Sequence, residues 1–419
     1  MRDDYITHQC RRRRLNDSMS YFQELYAEEE PEAKHDKNKI RIGRIIGGDD
    51  FRINIKGGSH SLILGRTGSG KTVLCRRYVD CMHMAGGSVA IIPDAKDEFK
   101  SSIEPVQPNF RHLLARGERP TGMPVQAYRP VFMVSKDNHL PKNNMPCSIP
   151  LSADFLEEND FLTLLGGDKL TPNQTRNLKI VYDKTIRKGV ASDINQIYPF
   201  VENNEEMNKT DKANIIKILR SIAHYGAFNP EHVVDPIKDV IEGKIPILNI
   251  RGFEDFGVAR GSIIAAFISI WLRNVTNGWK KAKKKKKGSM NIAIDELPRW
   301  CPKNGEPSCK KVILEGAELN RAEGINYVLS AQDPASIPKR LVDQCRYIFI
   351  PRGANKAMIK LVFSDLTGIV SSHPSHIHRI MKKKRDMPPY SWFAINTDAS
   401  SYEIIQPYFC LSWHQETRG

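Results

Sequence analysis

Short apolar runs bounded by glycine, proline or charge recur along the chain, and stretches of helical period separate them. Ser61–Leu64, Ser88–Ile92, Val131–Val134, Ile245–Ile250, Asn291–Ile294, Asn326–Leu329 and Tyr347–Ile350 read as buried strands. From Lys39 to Lys56 the pattern alternates, with Gly47-Gly48-Asp49-Asp50 as a turn, and predicts a β-hairpin. Val73, Leu74, Tyr78, Val79 and Met82 form the apolar stripe of a helix that ends at Gly86-Gly87. Strand and helix alternation implies right-handed parallel crossovers, hence an α/β fold.

Residues 151–239 change character. Leu156–Leu165 suits one helix. Thr171-Pro172-Asn173-Gln174 then supplies an N-cap, a first-turn proline and a capping-box glutamine. Leu178, Val181, Tyr182 and Ile186 carry the apolar stripe of that second helix, and a third runs from about Lys212 to Tyr225. The expected organisation is an N-terminal arm over 1–40, a core over 41–150 and 240–419, and an all-helical insertion over 151–239. A long helix over Ser262–Lys281 follows the return of the strands.

Composition narrows the class. The longest strongly apolar run, Ile263–Leu272, is about half of what a bilayer crossing needs. No apolar core follows the first charges, so no secretory leader is expected. A cytoplasmic protein follows from this, held at a membrane only through partners. The eight cysteines contain no C-x-x-C pair and read as reduced, mostly buried thiols. His373, His376 and His378 cluster without acids or cysteines, which favours a surface loop over a metal site. The net charge of +15 points to a polyanionic partner. Lys280, Lys281 and Lys283–Lys287 concentrate it, since without those seven lysines the balance falls to +8. Lys382–Arg385 is a second basic run.

The chemistry sits at strand ends. Gly65–Thr72 matches G-x-x-x-x-G-K-[ST] between a strand and a helix. Gly65, Thr67, Gly68, Ser69 and Gly70 would curl the backbone around phosphate oxygens at the helix N-terminus. Lys71 reaches the β- and γ-phosphates of ATP, and Thr72 ligates Mg²⁺. Asn291–Ile294 ends in Asp295-Glu296, a magnesium ligand beside a residue that orients or deprotonates the attacking water. Gln332, after the next strand, is the candidate for sensing the γ-phosphate.

Leu319-Asn320-Arg321-Ala322-Glu323-Gly324-Ile325, running on to Ala331-Gln332-Asp333-Pro334 and Ile337-Pro338, resembles the HerA–FtsK superfamily of ring-forming DNA-pumping ATPases. Asp94-Ala95-Lys96-Asp97-Glu98-Phe99 is similar to the Asp-Pro-Lys-Gly-Glu-aromatic stretch of those proteins, with Asp97 in place of glycine. The resemblance covers about residues 40–400. It implies a RecA-like P-loop core with a mostly parallel central sheet, ATP and Mg²⁺ at the interfaces of a hexamer, and DNA gripped by its phosphates. It also implies an arginine from the neighbouring subunit, with Arg321 at the matching position and Arg346 and Arg352 as fallbacks. The expected function is ATP-driven DNA translocation in conjugative transfer or genome packaging, with a relaxase, capsid or membrane complex as partner. A protein-secretion ATPase of the same fold, a small-molecule kinase and a non-hydrolysing scaffold are the alternatives. Neither the N-terminal β-barrel of HerA nor the membrane spans of many coupling proteins precede the phosphate loop in this sequence.

Overall fold

The computed structural model describes residues 39–55, 58–105, 121–133, 144–166, 170–224, 227–252, 257–282 and 288–412. The arm, the core of the lysine run (Lys283–Lys287) and the stop at Gly226 lie outside them. The described strands, in chain order, are β1 (Lys39–Ile45), β2 (Asp50–Asn54), β3 (His60–Leu64), β4 (Ser88–Asp94), β5 (Val125–Pro130) and β6 (Asn144–Cys147). They continue with β7 (Ile245–Asn249), β8 (Met290–Ile294), β9 (Ile325–Ala331), β10 (Cys345–Pro351), β11 (Trp392–Asn396) and β12 (Ser401–Pro407). All join one sheet in the order β2-β1-β12-β11-β10-β3-β9-β8-β4-β7-β5-β6. From β10 to β6 the pairing is parallel, and β11, β12, β1 and β2 extend one side as antiparallel neighbours.

Both faces of the parallel part are covered, which is why its strands read as unbroken apolar runs. Side chains alternate between two hydrophobic clusters. Ile63, Val89, Ile91, Ala293, Val328 and Phe349 pack with Leu74, Tyr78 and Val79 of helix α1 (Lys71–Met84). Leu62, Leu64, Ile292, Ile294, Leu329 and Ile350 face helices α2 (Gly257–Ala282) and α3 (Ser308–Leu319).

Between β6 and β7 the described elements are helical, including Glu158–Leu164, Pro172–Thr185 and Lys209–His224. Phe161, Leu178 and Leu219 from these helices belong to the same cluster as Phe267 and Trp271 of α2. The Thr171 hydroxyl accepts from the Gln174 amide, and the Gln174 side chain accepts from the Thr171 amide, so the expected capping box is present.

One local reading differs from the structure. The strand assigned to Val131–Val134 is displaced to Val125–Pro130, and Val131–Met133 form a single helical turn. The run Val131-Phe132-Met133 is apolar because Phe132 and Met133 fill the cluster below the sheet, not because it pairs. The hairpin β1–β2 forms as expected but sits at the far side of the sheet, bonded to β12 and away from β3. Among the described residues, no helix is long and apolar enough to cross a membrane. Their seven cysteines are buried thiols outside any disulfide among the described residues. His373 caps the helix Pro374–Asp386 by accepting from the Ser375 amide.

Candidate functional site

Parallel strands carry their ligands beyond their carboxyl ends, and four such ends meet here. β3 leads into the glycine loop, β9 into Gln332, β8 into Asp295-Glu296 and β4 into Asp94–Phe99, in the spatial order β3-β9-β8-β4. The loop begins under tight backbone constraint. A Cβ on Gly65 would lie 2.9 Å from Cγ of Pro351, and the residue has a φ of +148°. Gly70 adopts a left-handed φ of 88° at the start of α1. Such an angle suits glycine because a side chain there would strain the backbone. Lys71 is the first residue of α1 and is buried, and its ammonium donates back to the Arg66 carbonyl at 3.2 Å. Thr72 is half-buried beside it, and the Ser69 hydroxyl is buried with no hydrogen-bond partner among the described residues.

Asp295 is buried at the end of β8. Its Oδ1 accepts from the Ser330 hydroxyl at 2.6 Å, and its Oδ2 has no hydrogen-bond partner among the described residues. Burial raises its pKa, against the pull of Lys96 and Ser330, and the nearby Glu296 and Glu98 add to the rise. Glu296 follows in a left-handed conformation, φ 49°, which costs a non-glycine residue roughly 1–2 kcal/mol. Strain of this kind collects at functional sites. Burial opposes ionisation of Glu296, but Lys96, Gln332 and Lys71 outweigh it and hold its pKa below the ordinary glutamate value. Gln332 Nε2 donates to both Glu296 oxygens, at 3.3 and 3.4 Å. The charges of Asp295, Glu296 and Glu98 all act on Lys71, whose pKa burial and Lys96 together lower.

Lys71, Asp295, Glu296 and Gln332 are therefore brought to one place by β3, β8 and β9. The residues fit a magnesium-bound triphosphate. A buried carboxylate oxygen without a partner is what a divalent cation needs, and Asp295 Oδ2 is such an oxygen among the described residues.

Two residues that the sequence reading placed in the stretch after β4 without assigning them a role belong to this site. Lys96 pairs with Glu296 Oε1 at 2.6 Å. Glu98 carries a buried Oε2 without a hydrogen-bond partner and contributes charge to Asp295 and Lys71. The signal available was their place in the acidic-basic stretch that ends β4. Asp97, at the position usual for glycine, adopts φ 59°. Aspartate tolerates this region better than most residues.

Arg321 lies elsewhere. It opens the turn before β9, at the amino ends of the strands, about 20 Å of strand away from Gln332. It is largely exposed and shares Asp398 with Arg346, at 3.8 and 3.2 Å respectively. Arg352 follows β10 on the phosphate-loop side, and its amide donates to the Ser391 carbonyl.

The sequence profile of the family described as helicase HerA, central domain, matches residues 40–268. Among solved structures, VirB4 of Thermoanaerobacter pseudethanolicus is similar at 12% identity and TM-score 0.55, over 90% of this chain and 98% of that one. The plasmid coupling protein TrwB, bound to a non-hydrolysable ATP analogue, is similar at 12% identity and TM-score 0.53, over 94% of each chain. An unbound form of the bacterial conjugative coupling protein TrwB gives TM-score 0.50 at 12% identity, over 95% and 94%. No curated protein matches the sequence. At such identities the likeness concerns the fold, a RecA-like P-loop sheet.

Proposed function

The chain belongs to the HerA central-domain family, within the HerA–FtsK superfamily of P-loop ATPases, and from that premise we propose that it hydrolyses ATP to move DNA. The observation that carries the reading is the meeting of Lys71, Asp295, Glu296 and Gln332 at adjoining strand ends, with Asp295 Oδ2 left without a partner. The family profile ends at residue 268, before Asp295, so this geometry supports the reading where the sequence match stops.

In the proposed mechanism, backbone amides of Gly65–Thr72 and the Lys71 ammonium hold the phosphates. Thr72 and Asp295 would hold magnesium, and the charge of Glu98 acts on Asp295 beside them. A bound magnesium triphosphate supplies the electrophilic phosphorus and neutralises charge as the phosphoryl group transfers. Glu296 orients the attacking water and takes its proton, and Gln332 positions both. Arg321 lies at the opposite end of the sheet from its own subunit's nucleotide groups, and the role proposed for it, from the family resemblance, is to complete a neighbour's site in a ring. The helical segment 151–239 is an insertion in that motor core, and DNA is held by its phosphates.

The experiment is ATP turnover with and without long duplex DNA, at low and high salt. The expected result is stimulation by DNA that fades with salt, because phosphate contacts release counterions, and loss of turnover in Arg321→Ala. Turnover indifferent to DNA but raised by a protein substrate would replace DNA with a polypeptide cargo.

A further inference from the structure

Resting on the nucleotide reading above, we propose that Lys96 is an exchangeable latch of the site: it holds Glu296 until a terminal phosphate draws its ammonium away.

The backbone around Lys96 is fixed. Asp94 accepts from three amides of its own loop: Lys96 and Glu98 at 3.2 Å each on Oδ1, and Phe99 at 3.0 Å on Oδ2. Asp97, left-handed, is pinned through its carboxylate by the Asn249 amide at 2.6 Å and by Lys100. Movement is therefore left to the Lys96 side chain, which is 34% exposed and whose four-carbon stem can swing. Its Nζ lies 2.6 Å from Glu296 Oε1, while Gln332 donates to both oxygens of that carboxylate. A carboxylate engaged by an ammonium and an amide is badly placed to accept a proton from water. In this arrangement Glu296 is held out of use.

The ammonium has a competing partner within reach of the same site. The charge of Lys96 acts on Lys71, and Asp295, Glu296 and Glu98 act on both lysines. Two lysines converging on a glycine loop suit a polyphosphate better than one does. When Lys96 moves from Glu296 to the terminal phosphate, the Oε1 lone pair that it occupied opens to the attacking water, while Gln332 keeps the carboxylate in place. A diphosphate offers no terminal phosphate at that point, so the exchange discriminates between the two nucleotides.

The test is equilibrium binding of Mg-ADP and Mg-ATPγS to the full chain by calorimetry. Lys96→Met, which keeps length and removes charge, should weaken ATPγS about tenfold to a hundredfold, the scale of a charge-assisted hydrogen bond. ADP binding should change by no more than about twofold, within the scatter of a contact not made. Glu296→Gln, which weakens the latch, should tighten ATPγS, and that gain should vanish when Lys96→Met is added. Lys96→Arg keeps the charge and should retain the preference for ATPγS. Equal effects of Lys96→Met on both nucleotides, or none on either, overturn the proposal. Should the Met variant fail to fold, equal weakening of both nucleotides by Lys96→Arg overturns it alone. A wild-type chain that binds neither nucleotide overturns the nucleotide reading itself, and this inference with it.

Discussion

His60, the first residue of β3, shows how one side chain ties the two ends of the molecule's argument together. It is fully buried, with Nε2 at 2.7 Å from the Ala317 carbonyl and Nδ1 at 3.0 Å from the Tyr327 amide. A carbonyl needs a donor and an amide needs an acceptor, so the neutral ring with its proton on Nε2 satisfies both. Burial, aided by the charge of Arg321, lowers its pKa to about 4 from the ordinary 6.5. Between those values the unfolded chain binds a proton that the folded one refuses, so stability falls as pH drops through this window. Relative to His60→Gln, the wild type should lose about 2 kcal/mol more between pH 7 and pH 5. The measurement is the urea-unfolding midpoint at each pH, and equal slopes for the two proteins would refute the assignment. Nothing in the sequence around Ser59-His60-Ser61 announces this, because both partners are distant in the chain. The pairing of Lys96 with Glu296 was hidden for the same reason. Each lies two residues beyond the end of its own strand, and only the parallel pairing of β4 with β8 makes them neighbours.

At the scale of elements, what local chemistry determines was legible and what partners determine was not. Thr171-Pro172-Asn173-Gln174 holds its whole cap within four residues, and it forms. Thr171→Ala should cost about 1 kcal/mol. This should appear as faster amide exchange over Pro172–Thr185 with nucleotide affinity unchanged, and unchanged exchange would contradict the cap's contribution. The strands of the parallel core were readable because burial on both faces makes them apolar throughout. β12 is different: its first four residues alternate between exposed and half-buried positions, and its place was set by pairing with β11 and β1. The displaced Val131 reading has the same origin, since an apolar run packs equally well in a helical turn or a strand. The glycine loop and Asp295-Glu296 were legible for the reason opposite to Lys96. Their chemistry demands residue types in fixed local order, and the order is in the sequence.

For the whole molecule, the sheet separates two groups of polar side chains by its length. The carboxyl ends of β3, β8 and β9 gather the groups proposed to hold and split a triphosphate, while Arg321 and Arg346 meet Asp398 at the amino ends. In our proposal, rings solve that separation by setting one subunit's amino-end arginine against the next subunit's nucleotide. The net charge of +15 suits a long polyanion passing such a ring. All of this depends on Lys71, Thr72, Asp295 and Glu296 serving one nucleotide. The most direct measurement is the fate of radiolabelled Mg-ATP on purified Glu296→Gln protein. We predict that the variant binds ATP stoichiometrically and returns it unhydrolysed, while Lys71→Ala retains none. Hydrolysis by Glu296→Gln at the wild-type rate, or ATP retention indifferent to Lys71, would contradict the account.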